Sequence, residues 1–199
     1  MNYTEALHAR DNRTPPNYEP PRNGRLCCIV PSYNYGRFIE KALDSILAQT
    51  RPADEVIVID DGSKDGTMLR LEQYRDRVRI VQTPRNLGLP AVRNRAIAMT
   101  DAEFIVSIDA DDWCEPTYFE TLVNALVADP KLGVAYTSVK TWDERDQRFH
   151  VRPHWPPQFV WDWVAVRAFP PRTMIPASAM YRREMWRRAG GFMESLERA

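Results

Sequence analysis

The stretch FIVSIDADDWCEP, residues 104–116, is where the reading of this chain turns. Phe104, Ile105, Val106 and Ile108 make an apolar run of the kind that suits a strand buried on both faces. The chain then places Asp109, Asp111 and Asp112 within four positions. Like charges that close repel, and they raise one another's pKa unless a cation or an array of donors compensates. Carboxylates two apart on a tight turn suit a hard divalent ion that keeps its other positions for water and phosphate oxygens. The plainer alternative is capping work, with Asp112 closing the start of a helix near Pro116 or else meeting ligand.

Working outward, strand-like runs alternate with helical patterns. LCCIV, EVIVID, VRIVQ, EFIVSID and GVAYTSV read as strands; RFIEKALDSILAQT, GTMLRLEQYR, LPAVRNRAIAMT and TYFETLVNALVAD read as helices. In the first helix Phe38, Ile39, Ala42, Leu43, Ile46 and Leu47 fall on one stripe, which packs on a sheet. The strands show little polar alternation, as burial by crossover helices on both faces requires. The pattern predicts an α/β fold, a mostly parallel central sheet flanked by helices in the manner of nucleotide-binding domains.

At 199 residues the chain fits one domain, 26–199, behind a polar, proline-rich leader over 1–25. Lys plus Arg and Asp plus Glu both number 27, so no global charge draws the chain to nucleic acid. No apolar run is long enough to span a membrane and no secretory signal opens the chain, which places it in the cytoplasm and leaves peripheral membrane association open. Cys27, Cys28 and Cys114 lack metal-type spacing and read as reduced thiols. His150 and His154 are spaced like a helical pair, but Pro153, Pro156 and Pro157 argue against a helix; His8 stands alone. The region 142–172 is dense in Trp, Pro and charge and is read as a long loop with short elements; Trp142, Trp155, Trp161 and Trp163 are gap fillers or, less favoured, sugar-stacking rings. A last strand and helix follow in MIPASAMYRREMWRRAGGF, with Gly190 and Gly191 ending the helix.

In open parallel sheets ligands sit beyond the carboxyl ends of the strands, so the turns there carry the chemistry. After the first strand comes PSYNYG: Pro31 ends the ladder, and Tyr33 and Asn34 offer an aromatic face and an amide to a planar ring. After the second, DDGSKDGT puts Asp60 and Asp61 at one edge before a helix capped by Asp65 or Thr67. After the third, TPRNLGLPAVRNRA brings Arg93, Asn94 and Arg95; the fourth ends in the acid turn. A turn, a cap and a solvated helix face would each explain one of the first three alone.

The four turns in this order resemble the family-two glycosyltransferases, which have the GT-A fold. The resemblance covers 26–199 and rests on VPSYNYGRFIEKALDSILAQT, EVIVIDDGSKDGT, NLGLPAVRNRAI, IDADDW and SAMYRREMWRRAGGF. It implies that Pro31, Tyr33, Asn34 and Asp61 line a nucleoside pocket, with Asp61 on the base, and that Arg93 and Asn94 lie beside the nucleotide. It also implies that Asp109 and Ala110 meet the nucleotide, and that Asp109 and Asp111 hold Mn²⁺ or Mg²⁺ on the diphosphate. The expected donor is a nucleotide sugar, with UDP-sugars first, and transfer is expected to invert the anomeric centre. The acceptor is a glycan, a lipid-linked glycan or a protein. In that family the base belongs to an acidic pair several residues past the Gly-Gly-Phe stretch. Here Glu194 and Glu197 both precede the expected position, so the base is expected beyond Ala199 and the chain is expected to be a truncated domain. Two alternatives stay open. One is a nucleotide- or glycan-binding module without chemistry; the other is a nucleotidyltransferase, which PSYNYGRF disfavours because it lacks a glycine- and arginine-rich phosphate loop.

Overall fold

The structure, a computed structural model, describes residues 24–143, 147–151 and 178–194. The leader expected over 1–25, apart from Gly24 and Arg25, lies outside the described residues, as do Trp155, Trp161, Trp163, His8, His154 and Glu197. Gly24 and Arg25 already belong to the domain: Gly24 donates its N–H to Glu103 Oε2 at 2.9 Å, and Arg25 pairs with Asp101.

The described elements run β1 (Leu26–Ser32), α1 (Gly36–Leu47), β2 (Glu55–Asp60), α2 (Thr67–Leu71), β3 (Arg79–Gln82), α3 (Leu89–Ala98), β4 (Phe104–Ser107), α4 (Tyr118–Ala128), β5 (Val134–Ala135), β6 (Lys140–Asp143), β7 (Arg148–Val151), β8 (Met180–Arg182) and α5 (Arg183–Ala189). A six-stranded sheet has the order β3-β2-β1-β4-β8-β5. Its first four strands are parallel, whereas β8 runs antiparallel to both β4 and β5. The sheet is thus mostly parallel, as expected, with a mixed edge that no local pattern announced.

Both faces of the sheet are covered, which explains the unbroken apolar runs. Leu26, Cys28, Val30, Val58, Phe104 and Val106 face a layer built from Ile39, Leu43 and Ile46 of α1 and Phe119, Leu122 and Leu126 of α4. Cys27, Ile29, Ile57, Ile59 and Ile105 face Val92, Ala96 and Ile97 of α3. Each fully buried Leu or Ile contributes about 1.5–3 kcal/mol, so these two layers supply the main drive to fold. Burial pushes the thiols of Cys27 and Cys114 up to about 12 and that of Cys28 well above its usual value, so all three stay protonated.

Four expectations about local structure change. Pro31 does not end the ladder: β1 continues to Ser32, and Pro31 lies in register with Ile59. Ile29 O accepts from Ile108 on the β4 side and Ser32 O accepts from Asp61 on the β2 side, so alternation points the Pro31 nitrogen at a β4 ladder that has already ended at Ser107. The helix after β2 breaks into α2 and a 3-10 turn, Glu72–Tyr74. The strand over 133–139 shrinks to two residues. In the Trp- and Pro-rich region β6 and β7 form a hairpin where no period was readable.

Asp112 does not cap α4. The helix has Thr117 at its N-cap with no side-chain bond, and its Phe119 N–H is taken instead by Gln49 Oε1 at 2.9 Å. The same buried amide donates Nε2 to Glu115 O at 2.8 Å and Ser45 O at 3.1 Å. Cys114 N–H donates to Ser45 Oγ, and Thr50 N–H donates to Pro116 O. The end of α1 therefore laces down the segment leaving the acid turn. Gln49→Ala would strand a buried donor and a buried acceptor, and it is expected to cost about 2–4 kcal/mol in a denaturant titration. An unchanged midpoint would show that the lacing is dispensable.

Candidate functional site

The carboxyl ends of β1, β2 and β4, with the β3–α3 loop, bring the expected residues to one edge of the sheet. Their bonds divide them into groups that hold the loops together and groups that remain open to a ligand.

The loop-holding set is larger than the sequence suggested. Asp60 is fully buried and accepts from Ser63 N–H at 3.0 Å, from the Ser63 hydroxyl, and from Gln82 Nε2 at 3.1 Å. Asp61, also buried, takes Thr83 Oγ1 at 2.9 Å and Leu87 N–H at 2.8 Å on Oδ1, and Gly88 N–H at 2.9 Å on Oδ2. Leu87 N–H is shared with Oδ2 at 3.0 Å, and the Thr83 hydroxyl also lies 2.7 Å from Arg85 O, so the carboxylate is tied to the β3–α3 loop chiefly through the Leu87 and Gly88 amides. Between the two turns Gly62, at φ 77°, lies flat on the backbone of Arg85 and Asn86. Asn34, in the left-handed region at φ 58°, gives its N–H to Ser63 Oγ at 2.8 Å and takes Lys64 N–H on Oδ1 at 2.9 Å.

The N-cap of α2 is Gly66, in place of the expected Asp65 or Thr67, and Asp65 acts from one position earlier. Its Oδ1 accepts Thr67 N–H at 3.1 Å, and its Oδ2 takes Gly36 N–H at 2.9 Å, joining the start of α2 to the start of α1. Desolvation is the largest single influence on its pKa and pushes it up. The hydrogen bonds from the Thr67 hydroxyl and from the Gly36 and Thr67 amides together outweigh it and hold the carboxyl below its usual value. With the folded value depressed, this contact stabilises the fold above the ordinary carboxylate range and is lost as pH falls through the lowered value.

Asn94 is equally committed. Its Oδ1 accepts Trp186 Nε1 at 2.9 Å and Phe192 N–H at 2.8 Å, while Nδ2 donates to Phe192 O at 3.0 Å and Glu194 Oε1 at 2.9 Å. It fastens the glycine turn after α5 to α3. The adjacent Arg95 is exposed.

The open set centres on the acid turn. Arg93, 13% exposed, donates Nε to Ser107 Oγ at 3.1 Å and Nη2 to Asp109 Oδ1 at 2.6 Å, while Asp109 is 31% exposed. Among the described residues this is the turn's one salt bridge. Ala110 is buried in the core beneath the turn, and Asp111 is exposed. Asp112 keeps an exposed edge, yet desolvation, followed by the charges of Asp109 and then Asp111, pushes it up to about 6. Its N–H closes the turn on Asp109 O at 3.0 Å.

Two aromatic rings stand in the β1–α1 loop, of which Tyr35 lies near the turn. Tyr33 is exposed at the rim. Tyr35, which the sequence reading passed over, has its hydroxyl pKa raised by the charge of Asp111 first, then by burial, Asp109 and Asp112. The second tyrosine of PSYNYG was the available signal.

A divalent ion fits this turn as a shared ligand. Among the described residues no group of three His, Cys, Asp or Glu side chains is arranged to hold a metal by itself. An exposed Asp111, with Asp109 half committed to Arg93, suits an ion that completes its shell with phosphate oxygens and water.

Comparison with known proteins gives the family and the fold. The profile described as Glycosyl transferase family 2 matches residues 27–189, and the chain belongs to that family. Among its relatives, Glycosyltransferase GlyA of Streptococcus pneumoniae is 33% identical over 119 residues, 57% of this chain and 17% of that protein. Chondroitin synthase of Pasteurella multocida is 33% identical over 112 residues, 55% of this chain and 12% of its own length. The chain thus spans a minor part of both relatives. Among solved structures, mannosyltransferase PcManGT from Pyrobaculum calidifontis, in complex with GDP-Man and Mn²⁺, aligns with a TM-score of 0.62 at 26% identity, over 97% of this chain and 55% of that one. Residues 1–349 of S. aureus TarS, in complex with UDP-GlcNAc, align with a TM-score of 0.64 at 22% identity over 84% of this chain and 48% of that one, a likeness of fold. The fold is that of the GT-A glycosyltransferases.

Two substitutions test the loop-holding groups. Asp61→Asn would turn an amide donor toward backbone donors and is expected to cost about 2–4 kcal/mol. In Gly62→Ala, the new Cβ would stand 3.0 Å from Arg85 C at a φ that favours glycine, for an expected cost of about 1–3 kcal/mol. Urea midpoints check both, and wild-type values would refute the assigned contacts.

Proposed function

We propose that this chain is the donor-binding part of a glycosyltransferase that takes a nucleotide sugar, with UDP-sugars first, and passes the sugar to an acceptor hydroxyl with inversion. The observation that carries this reading is the acid turn at the end of β4, which has one guanidinium for three carboxylates. Family membership supports the reaction class.

In this reading Tyr33 stacks on the base and Pro31 forms the floor of the nucleoside pocket. Asn34 shapes the pocket rim, since its Oδ1 is already bonded. Asp61 recognises the base mainly by holding the 85–88 loop that walls the pocket. The two backbone amides it binds support this positioning role, and its remaining acceptor capacity leaves room for a bond to the base. Asn94 likewise positions the 190–194 segment beside the nucleotide. Asp109 meets the ribose side, Ala110, expected there too, is instead buried beneath the turn, and Asp109 and Asp111 hold Mn²⁺ or Mg²⁺. When bound, that ion supplies Lewis-acid stabilisation of the charge gathering on the diphosphate as the sugar leaves. Arg93 adds a fixed positive charge and aims Asp109. The acceptor class, whether glycan, lipid-linked glycan or protein, and a cytoplasmic location belong to the same proposal. Among the described residues no helix is long and apolar enough to cross a membrane.

Calorimetry with UDP, with and without MnCl₂, tests the reading. UDP is expected to bind more tightly with Mn²⁺ present, and Asp111→Ala should weaken that binding at least about tenfold, or about 1.4 kcal/mol. UDP binding indifferent to Mn²⁺, or unchanged by the substitution, would overturn the assignment.

A further inference from the structure

We propose that Trp113, Phe149 and Trp142 form a stacking strip that seats a pyranose ring of the acceptor beside the acid turn. The word acceptor rests on the donor reading above; the strip itself rests on other residues.

Trp142 and Phe149 are cross-strand partners in the β6–β7 register, with ring centroids 4.9 Å apart and planes tilted by 60°, so a sugar would lie on one ring face at a time. Phe149 meets Trp113 edge-on at 6.3 Å. Trp113 directly follows Asp112, so the strip continues outward from the acid turn. Lys140 Nζ, 3.1 Å from Glu115 Oε1, ties the hairpin to the same segment. Lys41 Nζ sits 3.2 Å over one face of the Trp113 ring, so Phe149 and Trp142 offer the faces to a sugar. The three residues Trp113, Phe149 and Trp142 are 40%, 52% and 42% exposed.

Rings that only stapled the hairpin would be expected to hide more of their surface. Size and chemistry narrow the choice of occupant. At about 150–250 Å² per aromatic side chain, the exposed parts of all three come to roughly 200–350 Å². A stable protein partner needs about 800 Å² on each side, whereas one or two sugar rings fit the smaller area. A pyranose also has an apolar C–H face for the rings and a hydroxyl rim. Lys41, Glu115 and the acid turn border the strip as hydrogen-bonding groups for that rim. The position matches the need, because an acceptor must present its hydroxyl next to the donor sugar.

The test uses the full chain with cellotetraose and chitotetraose as probes, whose equatorially substituted rings present flat C–H faces. At least one should bind and shift the Trp142 indole resonance. Trp142→Ala and Phe149→Leu should each weaken that binding about fivefold. Trp142→Phe should retain most of it, and all three variants should bind UDP with Mn²⁺ as the wild type does. Amide shifts of β6 and β7 confirm which variants keep the hairpin, and Phe149→Leu carries the test if Trp142→Ala unfolds it. Failure of both sugars to bind overturns the proposal, as does equal binding by hairpin-intact variants. So does a Trp142 indole shielded from a paramagnetic solvent probe in the free chain, which would mean that another part of the chain, or a second copy, already covers the strip. Loss of UDP binding in the wild type with sugar binding intact would remove the donor reading and leave the strip standing.

Discussion

The structure depends on keeping three carboxylates together on one turn at the end of a buried strand. Asp109, Asp111 and Asp112 repel one another, and among the described residues only Arg93 answers them with a salt bridge. The residual charge shows in its neighbours: the Asp112 carboxyl is pushed up to about 6, burial first and then the other two acids, and the Tyr35 hydroxyl is raised with Asp111 as the leading cause. In the proposed reading that unanswered charge is met by a cation that a ligand would bring.

Holding that turn in place takes polar bonds from distant parts of the chain. Ser45, Gln49 and Thr50 at the end of α1 fix the segment that leaves it, and Ser107 fixes the arginine that answers it. Asp60, Asp61, Asn34 and Asp65 tie the loops after β1, β2 and β3 to one another, so the edge of the sheet is one connected surface. Asn94 adds the glycine turn after α5. Several residues first read as ligand groups thus hold the loops to one another, and buried hydrogen bonds of this kind are costly to break.

The sheet was legible where physics acts locally. Strands buried on both faces read as unbroken Ile and Val runs, and α1 shows its stripe because one face meets the sheet. The turns at the strand ends were legible because unlike residue types converge there. What was not legible depends on partners far along the chain. Gln49 caps a helix seventy positions away, a task that local spacing assigned to Asp112. The three-residue strand β8 owes its antiparallel place to pairing with β4 and β5, and its own sequence carries no turn signal for it. The hairpin was hidden because Trp142 and Phe149 match only once the strands are paired.

The most direct test of the central claim is a crystal structure of the chain with UDP and Mn²⁺, with the metal located by its anomalous scattering. The account predicts one manganese held by Asp109 and Asp111 beside the diphosphate, Arg93 still joined to Asp109, and the base against Tyr33. A nucleotide bound elsewhere, or a manganese bound without Asp111, would contradict it.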